Sequence, residues 1–223
     1  MPDYNKAVSI YQKSLAIKQD EEVYNNLAIA YESLEKFDEA KKSYLAGIKI
    51  RSDYSLALSN LGALYYRTKN YDSAIIYYKR EIKINKPVAS YYNALADALY
   101  NLSNFDSAIV YYKKAIALDT THSNYYVNIG EAYYNLDKYE ESTPYLEKAL
   151  AMDTSYTTTF SKLAYNYLYL KKYNEAITWY KKAIAVKPDQ SLYNNLALSY
   201  ENTQKINEAK QNFSLINGYE IWP

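Results

Sequence analysis

Two kinds of side chain recur at a fixed interval and could do recognition chemistry. Asparagines stand at Asn25, Asn26 and Asn60, then at Asn93, Asn128, Asn194 and Asn195. A carboxamide offers a donor and an acceptor together, so it can bracket a peptide bond. Tyrosines stand at Tyr66, Tyr100 and Tyr134, spaced by 34 and 34, with Tyr165 and Tyr169 able to extend the series. A phenol ring brings a large contact area at low conformational cost, with a polar tip.

Groups for catalysis are scarce. His122, within DTTHSN, is the single histidine, and there is no cysteine. Disulfides, thiol catalysis and zinc–thiolate sites are therefore excluded. The four glycines, Gly47, Gly62, Gly130 and Gly218, are scattered and form no phosphate-cradling loop. No Gly-x-Ser-x-Gly elbow occurs. Carboxylates lie mostly in mixed runs such as EKFDEAKK (35–42), which read as solvated helix faces. The expectation is a chain that is not an enzyme and holds no cofactor or metal.

The elements that carry these residues follow from composition and period. The chain has 223 residues, 26 Lys plus Arg and 25 Asp plus Glu, so its net charge is +1. Such balance argues against nucleic acid as a partner, because phosphate binding needs uncompensated cations. Four Gly and five Pro are too few for a turn-rich all-β fold. The 31 tyrosines reconcile 49% hydrophobic residues with a mean hydropathy of −0.49. No apolar run approaches the ~20 residues of a membrane-spanning helix, and no signal peptide is visible. These features favour a soluble, cytoplasmic chain without membrane insertion. Lysine at 23 against arginine at 3, with abundant Tyr, Asn and Ile, resembles an AT-rich coding bias of bacterial type.

Six segments align on one pattern. They are YNNLAIAYESLEKFDEA (24–40), LSNLGALYYRTKNYDSA (58–74), YNALADALYNLSNFDSA (92–108), YVNIGEAYYNLDKYEES (126–142), FSKLAYNYLYLKKYNEA (160–176) and YNNLALSYENTQKINEA (193–209). Their starts step by 34, 34, 34, 34 and 33. Leu27, Ala28 and Tyr31 follow Tyr24 at three, four and seven residues, which is one face of a helix. A second helix carries Ala40, Tyr44 and Gly47, and likewise Ala176, Tyr180 and Ala183. Its expected N-caps are Asp38, Asp72, Asp106, Glu140, Asn174 and Asn207. Pro87 and Pro188 mark its end.

This pattern resembles the tetratricopeptide repeat family, whose unit is 34 residues with Leu-Gly/Ala, Tyr, Ala, an aromatic, Ala and Pro in order. The resemblance implies an all-α fold, a right-handed α-solenoid of stacked antiparallel helix pairs. The expected division is a half repeat at 1–20, full repeats at 21–54, 55–88, 89–122, 123–156 and 157–189, and a terminal repeat with tail at 190–223, in one continuous domain. The family's inter-helix glycine is replaced by Glu35, Lys69, Ser103, Asp137, Lys171 and Gln204, so a different turn or modest strain is expected. Glu81 stands where other repeats have alanine, and Ser142 replaces another alanine. Glu81 should snorkel outward, or else sit buried against Lys83 or a tyrosine hydroxyl. The chain opens on an orphan second helix and closes on QNFSLINGYEIWP with no polar capping helix. It therefore reads as a segment of a longer protein, with ends open to end-to-end self-association.

By the same resemblance, extended protein or peptide partners bind a concave groove lined by first helices. The positions this assigns to the groove include Asn25, Asn26, Asn60, Tyr66, Asn93, Asp97, Tyr100, Asn128, Glu131, Tyr134, Lys162 and Tyr165. Groove charges are Glu22, Glu32, Asp97, Glu131 and Glu201 against Arg67 and Lys162, so a neutral-to-basic segment is favoured. The alternatives are amides that only join helices and rings that only pack between them. At the level of function they are an assembly module acting through ends or faces, or an accessory domain of a longer signalling or assembly protein.

Overall fold

A computed structural model describes residues 3–217. Among these residues the chain is all α-helix and bend. The helices are α1 (Tyr4–Ile17), α2 (Glu21–Ser33), α3 (Phe37–Ile50), α4 (Ser55–Arg67), α5 (Tyr71–Ile84), α6 (Ala89–Asn101), α7 (Phe105–Leu118), α8 (Ser123–Asn135), α9 (Tyr139–Met152), α10 (Thr159–Tyr169), α11 (Tyr173–Val186), α12 (Gln190–Asn202) and α13 (Ile206–Asn217). Of the C-terminal stretch singled out in the sequence, residues 218–223 lie outside the described residues.

The chain divides into two compact units, Met1–Leu118 and Asp119–Pro223. In the first, α2 pairs with α3, α4 with α5 and α6 with α7, and each second helix packs on the next first helix. In the second unit α8 pairs with α9, α10 with α11 and α12 with α13. The opening helix α1 packs on α2 as a second helix would, burying Leu15. Both units are thus stacks of helix hairpins, an α-solenoid architecture.

The repeated small residues explain the close packing. Ala28, Ala40, Ala74, Ala96, Ala108, Ala164 and Ala176 are fully buried. They let the two helices of a hairpin approach, and Tyr44, Leu58, Leu61, Tyr112, Leu163 and Tyr180 fill the space beside them. Gly62 shows how tight this is: a Cβ there would stand 2.7 Å from the Tyr78 ring.

The inter-helix turn keeps its left-handed residue without glycine. Glu35, Lys69, Ser103, Asp137, Lys171 and Gln204 have φ of 58°, 60°, 58°, 56°, 59° and 60°. Each turn makes the same two bonds. In the second repeat Lys69 N–H donates to the Tyr66 carbonyl at 2.9 Å and Asn70 N–H to Tyr65 at 2.8 Å. These satisfy carbonyls that the helix end would leave orphaned. Of the two expectations, the strained version of the family turn is the one adopted.

The N-cap assignments need correction. Asp38, Asp72, Asp106 and Glu140 lie inside the first turn of their helices, one residue past Phe37, Tyr71, Phe105 and Tyr139. The residue before that aromatic is the cap: Asn70 Oδ1 accepts from Ser73 N–H at 3.1 Å and Asn104 Oδ1 from Ser107 N–H at 3.3 Å. The acids in this first turn complement the positive end of the helix instead. Pro87 and Pro188 follow the ends of α5 and α11 by three and two residues, as expected.

Glu81 is buried, with 1% of its surface exposed, so it does not snorkel. Its Oε1 accepts from the Ser55 hydroxyl at 3.5 Å, and Oε2 makes no hydrogen bond. Burial pushes the carboxyl up to about 7, and the hydroxyls of Ser59, Ser55 and Tyr91 pull it part of the way back. Ser55 also accepts from Asn85 Nδ2 at 2.9 Å, closing a polar cluster between α4 and α5. Ser142 is satisfied: its hydroxyl donates to the Gly130 carbonyl at 2.8 Å and accepts from Asn166 Nδ2 at 2.9 Å.

Candidate first-helix binding surface

In the first unit, α2, α4 and α6 are tied to one another by amide and phenol side chains. Asn60 Nδ2 on α4 donates to Asn25 Oδ1 on α2 at 3.0 Å. Asn25 is 4% exposed, so its amide serves this helix contact. Asn26 is exposed and lines a cleft of about 250 Å³ with Asp3, Tyr4, Ala7, Tyr11 and Ile29. Asn101 Nδ2 on α6 donates to the Tyr66 hydroxyl at 3.0 Å. Glu32 joins Arg67 in an ion pair and accepts from the Tyr44 hydroxyl at 2.5 Å.

Asp97 is the centre of a second polar group in that unit. It accepts from Asn93 Nδ2 at 2.9 Å and from the Tyr112 hydroxyl at 2.7 Å. Burial pushes its carboxyl up to about 6, while these two donors pull it down. Asn93 and Asp97 thus contact each other.

The tyrosines are half-buried and each has a ring partner at the start of the second helix of its own repeat. Tyr66 meets Tyr71 edge-on at 5.5 Å, Tyr100 meets Phe105 at 5.2 Å, and Tyr134 meets Tyr139 at 5.8 Å. Each of these tyrosines therefore packs within its own repeat and is still partly open to solvent. The signal in the sequence was the aromatic five residues downstream each time, Tyr71, Phe105 and Tyr139.

In the second unit α10 touches both α8 and α12, which places these first helices side by side. Glu131 on α8 and Lys162 on α10 form an ion pair, and Asn128 lies half-buried one turn before Glu131. Tyr134, Tyr139, Tyr165 and Tyr169 form one aromatic cluster. Tyr165 stands 5.6 Å from Tyr134, 5.7 Å from Tyr139 and 4.5 Å from Tyr169. The Tyr165 hydroxyl donates to that of Tyr169 at 2.8 Å, and burial with this bond pushes its phenol up to about 12. Tyr139 donates to Asp137 Oδ1 at 2.5 Å.

Tyr165 and Tyr169 of this cluster also line a cleft of about 340 Å³, together with Leu168, Lys171, Tyr173, Asn195, Leu198 and Asn202. Tyr169 is 55% and Leu198 43% exposed, an open apolar surface flanked by amides. The fully buried Tyr180 hydroxyl lies near Asn195 and makes no hydrogen bond.

The pairs lower the free charge on these faces. Of Glu22, Glu32, Asp97 and Arg67 in the first unit, Glu32 and Arg67 neutralise each other; in the second, Glu131 neutralises Lys162 while Glu201 stands exposed. Among the described residues no group of three or more His, Asp or Glu side chains is placed to hold a metal ion. No helix among them is long and apolar enough to cross a membrane.

Solved structures with the same fold are numerous. The C-terminal part of a TPR repeat-containing protein from Cytophaga hutchinsonii is 21% identical, covering 98% of this chain and 91% of its own, with a TM-score of 0.78. YrrB, described as a TPR protein with an unusual peptide-binding site, is 19% identical, with coverages of 82% and 94% and a TM-score of 0.72. MamA is 24% identical, with coverages of 77% and 98% and a TM-score of 0.67. No curated protein sequence matches the chain. Models of the tetratricopeptide repeat match residues 19–87, 53–121, 87–155, 121–189 and 191–215. With the period, the hairpins and these matches in agreement, the chain belongs to the tetratricopeptide repeat family.

Proposed function

We propose that the chain is a protein-interaction scaffold whose first helices bind an extended, neutral-to-basic segment of a partner protein. The family fold is typical of such scaffolds. The observation that carries the finer reading is the cleft beside Tyr165 and Tyr169, where exposed apolar surface adjoins the amides of Asn195 and Asn202. An apolar pocket with a few fixed polar groups is the common form of a recognition site. Asn195 and Asn202 would pair with the segment's backbone, and the rings and Leu198 would take a side chain. The exposed acids Glu22 and Glu201 favour a basic character in the segment. The peptide-binding description of YrrB supports the same reading. No catalytic step is assigned to the chain.

Random-peptide selection on the chain tests this, repeated with the Tyr169→Ala, Leu198→Ala double variant and with Tyr66, Tyr100 and Tyr134 all changed to Ala. A motif lost in folded variants supports the reading. Unchanged enrichment in both variants refutes it.

One observation favours assembly instead. Ile50, Ile84 and Leu118 end α3, α5 and α7 with 46%, 43% and 49% of their surface exposed, an aliphatic row at repeat spacing. A molecular mass that rises with concentration and falls on changing this row to Ser would support an assembly module.

A further inference from the structure

We propose that Tyr165 and Tyr169 are a site of oxidative modification, coupling to a dityrosine within one molecule when a one-electron oxidant acts on the chain. The oxidant class is a haem peroxidase drawing on hydrogen peroxide.

Proximity is the first argument. The two rings lie 4.5 Å apart with planes inclined by 34°, and their hydroxyls are 2.8 Å apart. The pairs Tyr65–Tyr77 and Tyr66–Tyr71 stand 5.6 and 5.5 Å apart. Coupling of two phenoxyl radicals joins the ring carbons next to the hydroxyl-bearing carbons. The product holds its two hydroxyls side by side, in contact. A hydroxyl-to-hydroxyl contact in the starting protein brings the correct edges of the two rings together. Both residues sit on α10, four residues apart, so the helix holds them in this relation.

Access and competition point the same way. Tyr169 is 55% exposed, so an oxidant can take the first electron there. Tyr139 is 4.8 Å from Tyr169 and is the nearest competitor in the cluster. Its hydroxyl donates to Asp137 at 2.5 Å, and its ring stands farther from Tyr169 and from Tyr165, at 4.8 and 5.7 Å, than those two stand from each other. Tyr167, between the pair in sequence, is buried and donates to Glu147.

The step balances without further reagents. Each phenol loses one electron and its hydroxyl proton, giving two phenoxyl radicals. A carbon–carbon bond forms between them, and the hydrogens on the bonded carbons move to the oxygens to restore two phenols. The two electrons and two protons reduce one hydrogen peroxide to two waters. The product would staple one turn of α10 and fix the wall of the adjacent cleft.

The test treats the dilute chain with a haem peroxidase and hydrogen peroxide, then digests it with trypsin. The expected result is a 163–171 peptide (LAYNYLYLK) lighter by two hydrogens, with dityrosine fluorescence and no backbone fragments released between 165 and 169. Tyr169→Phe should lower that product at least tenfold, with helix content unchanged, whereas Tyr167→Phe should retain it. The proposal is overturned if no dityrosine forms, or if Tyr169→Phe leaves the yield unchanged. It is equally overturned if the main product joins peptide 139–148 to 163–171 or links separate molecules.

Discussion

The Tyr112 hydroxyl on α7 donates to Asp97 on α6 at 2.7 Å, tying the two helices of one repeat through a fully buried ring. The first repeat makes the same connection with a carboxylate one turn later, from Tyr44 to Glu32 at 2.5 Å. Removing one partner leaves a buried polar group without its bond, which costs more than the bond's net worth. Asp97→Ala should therefore destabilise the chain by about 1–3 kcal/mol. In a Tyr112→Phe background the same change should cost clearly less, a coupling of about 0.5–3 kcal/mol. Urea denaturation of the four-member cycle checks this; additive losses would remove the link.

Glu81 makes stability fall as pH rises. Its carboxyl titrates near 4.5 in the unfolded chain and is pushed up to about 7 by burial in the fold. Below pH 4.5 it is protonated in both states, and its full contribution is present. Between the two values the unfolded chain ionises first, so stability is lost, and above about 7 the loss levels off. The total is about 3 kcal/mol at 1.36 kcal/mol per pH unit. Asp97, pushed up to about 6, adds a smaller loss of the same sign at lower pH. Glu81→Gln should flatten the stability profile between pH 5 and 7 and be the more stable protein at pH 8. Parallel profiles for the two proteins would overturn the assignment.

The left-handed turns predict a gain from glycine. A non-glycine residue at positive φ costs roughly 1–2 kcal/mol, and glycine gives part of that back through a freer unfolded chain. Lys69→Gly should stabilise the chain by about 0.5–1 kcal/mol. Lys69→Val, β-branched at φ 60°, should destabilise it. Thermal midpoints of the two variants, measured against the parent, decide the sign.

Burial separates two leucines on first helices. Leu95 is 0% exposed, and Leu95→Ala should cost about 2–5 kcal/mol. Leu198 is 43% exposed, so Leu198→Ala should cost no more than about 0.5 kcal/mol and act on peptide binding instead. Chemical denaturation orders the pair; equal losses would show that Leu198 is a packing residue.

The repeat, the helix pairs and the packing faces were legible because a 34-residue period repeats each signal six times. The cap position was not, since the aromatic before each acid, such as Phe37 before Asp38, begins the helix one residue earlier. The turn was ambiguous because Glu35 and Lys69 carry no left-handed preference; the flanking helices impose it. Asn166, fully buried and bonded to Ser142, escaped notice although other repeats have Ala98 or Ala132 there. Single-repeat departures such as Ser142 and Asn166 are where a periodic reading is weakest. On the first helices, the 34-residue spacing aligns Asn60 with Asn26, yet the amide that Asn60 meets is that of Asn25, one position away in register.

Each helix makes its substantial contacts only with helices one or two places away along the chain. That locality has a mechanical consequence. Under tension applied at the ends of one unit, a terminal hairpin can peel away without loosening the hairpin two places inward. Each release would free one period of 34 residues, a contour length of about 110–120 Å at full extension. Such a stack yields in equal, successive increments of length, and recovers them one hairpin at a time on the hairpin still standing.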